Sequence, residues 1–154
     1  MKTTHMLKTD EADIVYDVRG PLPTADGRPP LLMVGQPMTA GGFAALALQF
    51  LERTVVTYDP RGLGRSARGD GRVDHSPNVQ ANDVHAVIEA LGASRVEMFA
   101  SSGGAVTALA IVAAYPEDVV GSRRSPHPDA LRPRYDRTGS GGGTARDQPG
   151  RATN

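Results

Sequence analysis

The hexapeptide Phe99-Ala100-Ser101-Ser102-Gly103-Gly104 is the part of this chain best suited to chemistry. An apolar run precedes it and another follows, so Ser102 falls where a predicted strand turns into a predicted helix. Small residues stand two before it (Ala100) and two after it (Gly104), giving the pattern small-x-Ser-x-small, with Ala100 where Gly is more common. A tight strand-to-helix turn strains the serine backbone and crowds the positions at plus and minus two, so those residues must be small. In return the Ser102 hydroxyl stands clear at the carboxyl end of the sheet. The Gly103 N–H, at the start of the helix, would face the same point and could stabilise an oxyanion. The plainer reading of the same residues is a Gly/Ser-rich turn that only reverses the chain.

Two further segments bear on that choice. Asp59-Pro60-Arg61-Gly62-Leu63-Gly64-Arg65-Ser66 follows the apolar run Thr54–Tyr58, and Val34-Gly35-Gln36-Pro37-Met38 follows Pro30–Val34. With the Ser102 turn, these motifs resemble the α/β-hydrolase superfamily (AB hydrolase-1 type), and the resemblance covers its N-terminal half, residues 12–120. The eight-residue D-x-R-G-x-G-x-S loop matches in full, and in the family it is structural. The Gly-x-Pro turn matches in part, because Val34 stands where the family often has His. By position in that turn the resemblance implies that the Gln36 N–H serves the oxyanion; Pro37 has no N–H to offer. It also implies a mostly parallel, doubly wound α/β sheet and a serine hydrolase acting on an ester, amide or similar bond of a small molecule. No metal or organic cofactor is implied.

A serine nucleophile needs a base to take its proton and an acid to orient that base. The family supplies them late in the chain, as Asp or Glu and then His. After Ser102 this sequence offers Glu117, Asp118, His127, Asp129, Asp136 and Asp147. Glu117 and Asp118 follow the last helix and are expected at the end of the sheet opposite Ser102. His127 precedes most of the acids. Neither partner is recognisable, so the alternative is an inactive fragment or pseudoenzyme with at most a binding role. A second alternative is a Rossmann-like nucleotide site, because Gly62-Leu63-Gly64-Arg65-Ser66-Ala67 nears the G-x-G-x-x-G/A fingerprint; the segment that follows, ARGDGRVDHSP, does not suit the helix such a site requires.

The elements that must position these residues alternate along the chain. Asp13–Val18 reads as a strand, with Thr3–Thr9 as its hairpin partner. Pro30–Val34, Thr54–Tyr58 and Arg95–Ala100 read as buried strands. Thr39–Leu51 reads as a helix with a loose start at Gly41-Gly42. Ser76-Pro77 reads as the N-cap and first residue of another, with Val84, Val87, Ile88 and Leu91 as its apolar stripe and Gly92 as its stop. Gly103–Tyr115 reads as the last helix, apolar nearly all round and therefore expected to be buried on most sides. His85 and Glu89 read as a solvated helix face, His75 as turn chemistry, His5 as part of a flexible terminus, and Asp59 and Arg61 as braces of their own loop.

Composition bounds the rest. The chain has 154 residues, enough for one domain, and no net charge, so no nucleic-acid partner is indicated. It has no Cys, which excludes disulfides and thiol chemistry, and no Trp. No apolar leader or membrane-length run occurs, so a cytoplasmic location is expected and no membrane partner. The character changes at Gly121. Residues 122–154 hold seven Arg against three Asp, leaving ten basic and fourteen acidic residues before them. This Arg/Pro/Gly-rich tail has little to bury and is expected to be disordered. A sheet that ended at the third buried strand would leave an apolar edge open, so self-association and marginal stability are expected. The tail also has the composition of a GC-rich reading frame entered out of phase. Translating the DNA past codon 121 in the other two frames is expected to reveal apolar strands followed by Asp and His; finding none would remove that idea.

Overall fold

Runs of β-branched and apolar residues, too short to build an amphipathic helix, pair here as a five-stranded sheet. The computed structural model describes residues 1–121 apart from 10, 67, 69, 71 and 73–75. The strands are β1 (Lys2–Lys8), β2 (Asp13–Arg19), β3 (Leu31–Gln36), β4 (Val55–Tyr58) and β5 (Glu97–Ser102). Their order is β1-β2-β4-β3-β5. β1 and β2 form the antiparallel hairpin expected from the sequence, and β2 also runs antiparallel to β4. β4, β3 and β5 are parallel, as strands linked through helices must be. The expected α/β architecture is thus present, with a hairpin added to a parallel centre. His5 lies within β1, stacked on Tyr16 at 5.1 Å, and not in a loose terminus.

Helices cover both faces. α2 (Pro77–Ala90) and α3 (Gly103–Ala114) cover one, packing Ala81, Val84, Val87, Ile88 and Ile111 against Ile14, Tyr16, Leu32, Val34, Val56 and Tyr58. Of the stripe expected on α2, Val84, Val87 and Ile88 are buried, and Leu91, at its C-cap, packs partly buried against the same core. Ser76 sits at its N-cap position without a capping side-chain hydrogen bond, and Gly92 ends it at φ +64°. The other face is covered by less. The helix expected over Thr39–Leu51 contracts to a 3-10 turn (Ala40–Phe43) and a single α-helical turn, α1 (Ala44–Ala47). Phe43 and Ala47 pack on Leu31, Met33 and Val55, whereas Leu48 and Leu51 are exposed, so nothing holds a longer helix down. α3 departs from expectation too: Gly104, Thr107 and Ile111 are buried, but Val106, Leu109 and Val112 face solvent. The tail, residues 122–154, lies outside the described residues, as does His75.

The loop after β4 does more than brace itself. Asp59 accepts from the Ala40 N–H (2.8 Å), the Arg65 N–H (2.9 Å) and Arg65 Nε (2.8 Å). Ser66 Oγ donates to the Asp59 carbonyl and accepts from the Val15 N–H. Gly64 adopts φ +50°, and a Cβ there would stand 2.7 Å from Asp59 Oδ2. Arg61 makes a two-pronged pair with Asp83 of α2, both bonds 2.6 Å, and reaches Glu11 with its third nitrogen. One loop therefore ties the hairpin, the turn after β3 and α2 together. It is not a dinucleotide turn, because α2 begins only at Pro77.

Arg61 and Asp83 are both almost fully buried, so removing one strands the other. Asp83→Ala is expected to lower stability by about 3–5 kcal/mol, measured by urea unfolding. Glu11 is mostly exposed, and Glu11→Ala is expected to cost less than about 1 kcal/mol. Equal losses would contradict this division.

Asp59 and Asp17 set the acid response. Burial opposes ionisation of each, but hydrogen bonds from Arg65, joined by backbone N–H groups at Asp59 and by Thr4 and Lys2 at Asp17, outweigh it. Both carboxyls therefore titrate below the ordinary 3.8. The unfolded chain binds protons first as pH falls, so this stabilisation is complete above about pH 4 and is lost through the depressed values. The melting temperature is expected to drop more steeply below pH 4 in the parent chain than in Asp59→Asn, which should already be weakened at pH 7.

A candidate nucleophile turn at the end of the central strands

β5 ends at Ser102, and α3 starts at the next residue. Ser102 has φ 55° and ψ −132°, and it is the one non-glycine residue at positive φ among the described residues. Such a conformation costs about 1–3 kcal/mol, and it persists only where the surroundings impose it. The surroundings here are the backbone of β3. A Cβ on Gly103 would lie 2.7 Å from the Gln36 carbonyl oxygen, and one on Gly104 would overlap the Val34 carbonyl. The small residue two after the serine is thus required by the neighbouring strand rather than by the residue two before it. The first turn of α3 rests directly on the end of β3, and the chain must bend sharply at Ser102 to bring it there.

The three residues singled out from the sequence meet at this point. Gln36 and Ser102 are register partners across the parallel β3–β5 ladder, about 4.8 Å apart between strands. Gly103 follows Ser102 as the first residue of α3. Ser102 is exposed and Gln36 is buried. The Gln36–Pro37 peptide bond is cis. The Asp59 carboxylate, through Ala40, fixes the turn that follows Gln36-Pro37. Of two cavities of about 370 and 360 Å³, one lies by Pro30, Leu91 and Arg95 and the other by Asp17, Asp59 and Arg65; Ser102 lines neither.

The acid candidates among the described residues, Glu117 and Asp118, do not meet it. The Val96 N–H donates to the Asp118 carbonyl at 2.7 Å, which places Glu117 and Asp118 at the start of β5, the end opposite Ser102. His127, Asp129, Asp136 and Asp147 lie outside the described residues. The structure instead reveals a cluster that the sequence reading missed. His85 is not a solvated-face residue: its Nδ1 is 2.7 Å from Asp118 Oδ2, and its ring stacks on Tyr115 at 3.8 Å and 4°. Tyr115 in turn donates to Asn82 Oδ1. Helical spacing showed Glu89 as a neighbour of His85, but nothing local pointed to Asp118, which lies 33 residues on. The six-residue strand β5 separates this cluster from Ser102 by roughly 20 Å, beyond direct proton transfer.

The comparisons agree with this fold. No family model matches the chain. The "Putative carbamate hydrolase RutD" of Caulobacter segnis is 33% identical over 105 residues, 68% of this chain and 39% of that protein. A "putative epoxide hydrolase" of Pseudomonas aeruginosa superposes with TM-score 0.65 at 26% identity, covering 77% of this chain and 39% of its own. MGS-M2, an α/β hydrolase from a Medee basin deep-sea metagenome, does so with TM-score 0.66 at 21% identity, over 75% and 41%. The chain has the α/β-hydrolase fold and is similar to these hydrolases, with the partial coverage of an N-terminal half. It spans about two fifths of the length of these relatives.

The packing of α3 on β3 has a measurable consequence. Gly104→Ala should gain up to about 1 kcal/mol from helix propensity alone, but the clash with the Val34 carbonyl should cost about 1–3 kcal/mol. A net loss of stability on thermal or urea unfolding is expected. A more stable variant would show that the helix does not press on the strand as described.

Proposed function

We propose that this chain carries the nucleophile and oxyanion-binding half of a serine hydrolase site, with Ser102 as the nucleophile and the Gln36 and Gly103 N–H groups as oxyanion donors. The observation that carries this reading is the positive φ of Ser102 at the exposed end of β5, in register with Gln36. Strain of this kind is held where a side chain must be presented, and a simple turn would use glycine.

The chemistry of a hydroxyl selects among the substrates of the relatives. Ser102 Oγ adding to a carbonyl carbon loses its proton to a base, and the carbonyl oxygen takes the negative charge. Collapse breaks the bond to the leaving nitrogen or oxygen, which takes up that proton. The acyl–serine ester that remains is opened by water, which restores the hydroxyl. An epoxide opened by the same hydroxyl would leave a serine ether, which water does not cleave. Ser102 therefore favours a small ester, amide or carbamate, the bond type in the name of the Caulobacter relative, over an epoxide. No metal or organic cofactor enters this reaction.

A second reading has its own support. Among the described residues no histidine lies near Ser102, and His85 is engaged at the far end of β5. A chain without a base in reach would be inactive and at most bind ligands. A fluorophosphonate probe separates the two. Covalent labelling at Ser102, seen as a mass gain on the intact chain and lost in Ser102→Ala, is the expected result. A folded chain that refuses the probe would overturn the hydrolase reading in favour of the second.

A further inference from the structure

The β1–β2 hairpin, the end of β4 and the turn after β3 flank a cavity of about 360 Å³, within the size range of small-molecule sites and apart from Ser102. Lys2, Arg19 and Arg65 line it, together with Asp17 and Asp59. Three cations thus meet two carboxylates. Both carboxylates are already engaged. Asp17 accepts from Thr4 (2.7 Å), Arg65 (2.9 Å) and Lys2 (3.2 Å), and Asp59 from Arg65 and the Ala40 N–H. Arg19 pairs with no carboxylate among the described residues.

Arg19 is the register partner of Lys2 across the antiparallel ladder, so the two cationic side chains stand opposite each other on one face of the hairpin. Like charges so placed repel. Asp17 and Thr57, partners across β2 and β4, lie on the same face. Thr57 lines the cavity at 5% exposure, and its hydroxyl has no hydrogen-bond partner among the described residues. The wall contributed by α1 is apolar, made by Ala44 and Ala47.

We propose that this cavity binds a small organic monocarboxylate, with the carboxylate among Arg19, Lys2 and Arg65 and a short hydrocarbon chain against Ala44 and Ala47. One negative charge balances the cationic surplus and relieves the repulsion across the ladder. The planar guanidinium fork of Arg19 matches a carboxylate. Asp17 and Asp59 hold Lys2 and Arg65 in place before a ligand arrives, so little side-chain freedom is lost on binding. A phosphate dianion exceeds the surplus charge and has nothing to lay on the alanines, and an organic cation meets three like charges. The proposal is independent of the chemistry assigned to Ser102.

Butyrate, inorganic phosphate and butylammonium serve as probes of the full chain at constant ionic strength. Ligand-observed NMR titration is expected to show saturable binding of butyrate, with a rise in melting temperature. Phosphate is expected to bind more weakly and butylammonium not at all. Arg19 ties no other element down, so Arg19→Gln is expected to keep the parent's far-UV circular dichroism and to lose about tenfold or more in butyrate affinity. Lys2→Gln, across the ladder, is expected to weaken binding as well, whereas Arg28→Gln, beside the other cavity, is expected to leave it unchanged. No saturable butyrate binding, phosphate or butylammonium bound as tightly as butyrate, or an affinity untouched by both Arg19→Gln and Lys2→Gln would each overturn the proposal.

Discussion

The contact of the first turn of α3 with the carbonyl end of β3 governs this structure. Two helix residues must lack a Cβ for the helix to seat, since the Val34 and Gln36 carbonyls fill the space one would need. Once the helix is seated, the chain leaving β5 has little choice of path, and the residue at the corner is forced to positive φ. The corner residue is a serine, so its hydroxyl is delivered to the end of the sheet beside Gln36. The geometry of the site is a by-product of helix-on-strand packing and needs no dedicated side-chain network around Ser102.

The opposite side of that contact is secured by charge. Asp59 gathers the turn after β3 and the loop after β4 onto one carboxylate, and Arg61 carries the connection on to α2. Burying these groups costs desolvation, which their mutual hydrogen bonds must offset. The reward is positional: strands that are only four to seven residues long gain fixed ends. The eight-residue loop that resembles the family's D-x-R-G-x-G-x-S pattern thus has a structural part in this chain.

Much of the fold was legible because it rests on local pattern. The hairpin, the three parallel strands and most of the stripe of α2 follow from apolar spacing, and Gly92 marks the end of α2 as a left-handed glycine should. The burial expected of the third strand fails, because β5 lies at the end of the described sheet with Phe99 exposed. The Ser102 turn was legible because crowding leaves a trace as small residues at fixed offsets. What failed was non-local. The helix over Thr39–Leu51 had adequate local residues but no surface for Leu48 and Leu51 to pack on. His85 looked solvent-facing because its partner, Asp118, is brought up by the return of α3 and the turn at Pro116–Asp118. Asp59 and Arg61 looked self-contained because their partners, Ala40 and Asp83, are about twenty residues away in either direction.

The backbone at residue 102 places two kinds of selection in opposition. Glycine would occupy that φ and ψ at little cost, whereas any residue with a Cβ bears strain there. A directed-evolution screen run for heat resistance alone would therefore drift toward glycine at this corner and silence the hydroxyl as it improved the scaffold. A screen that also required the hydroxyl proposed as the nucleophile would have to find its gains elsewhere, in the exposed leucines of the thinly covered face and the solvent-facing stripe of the last helix.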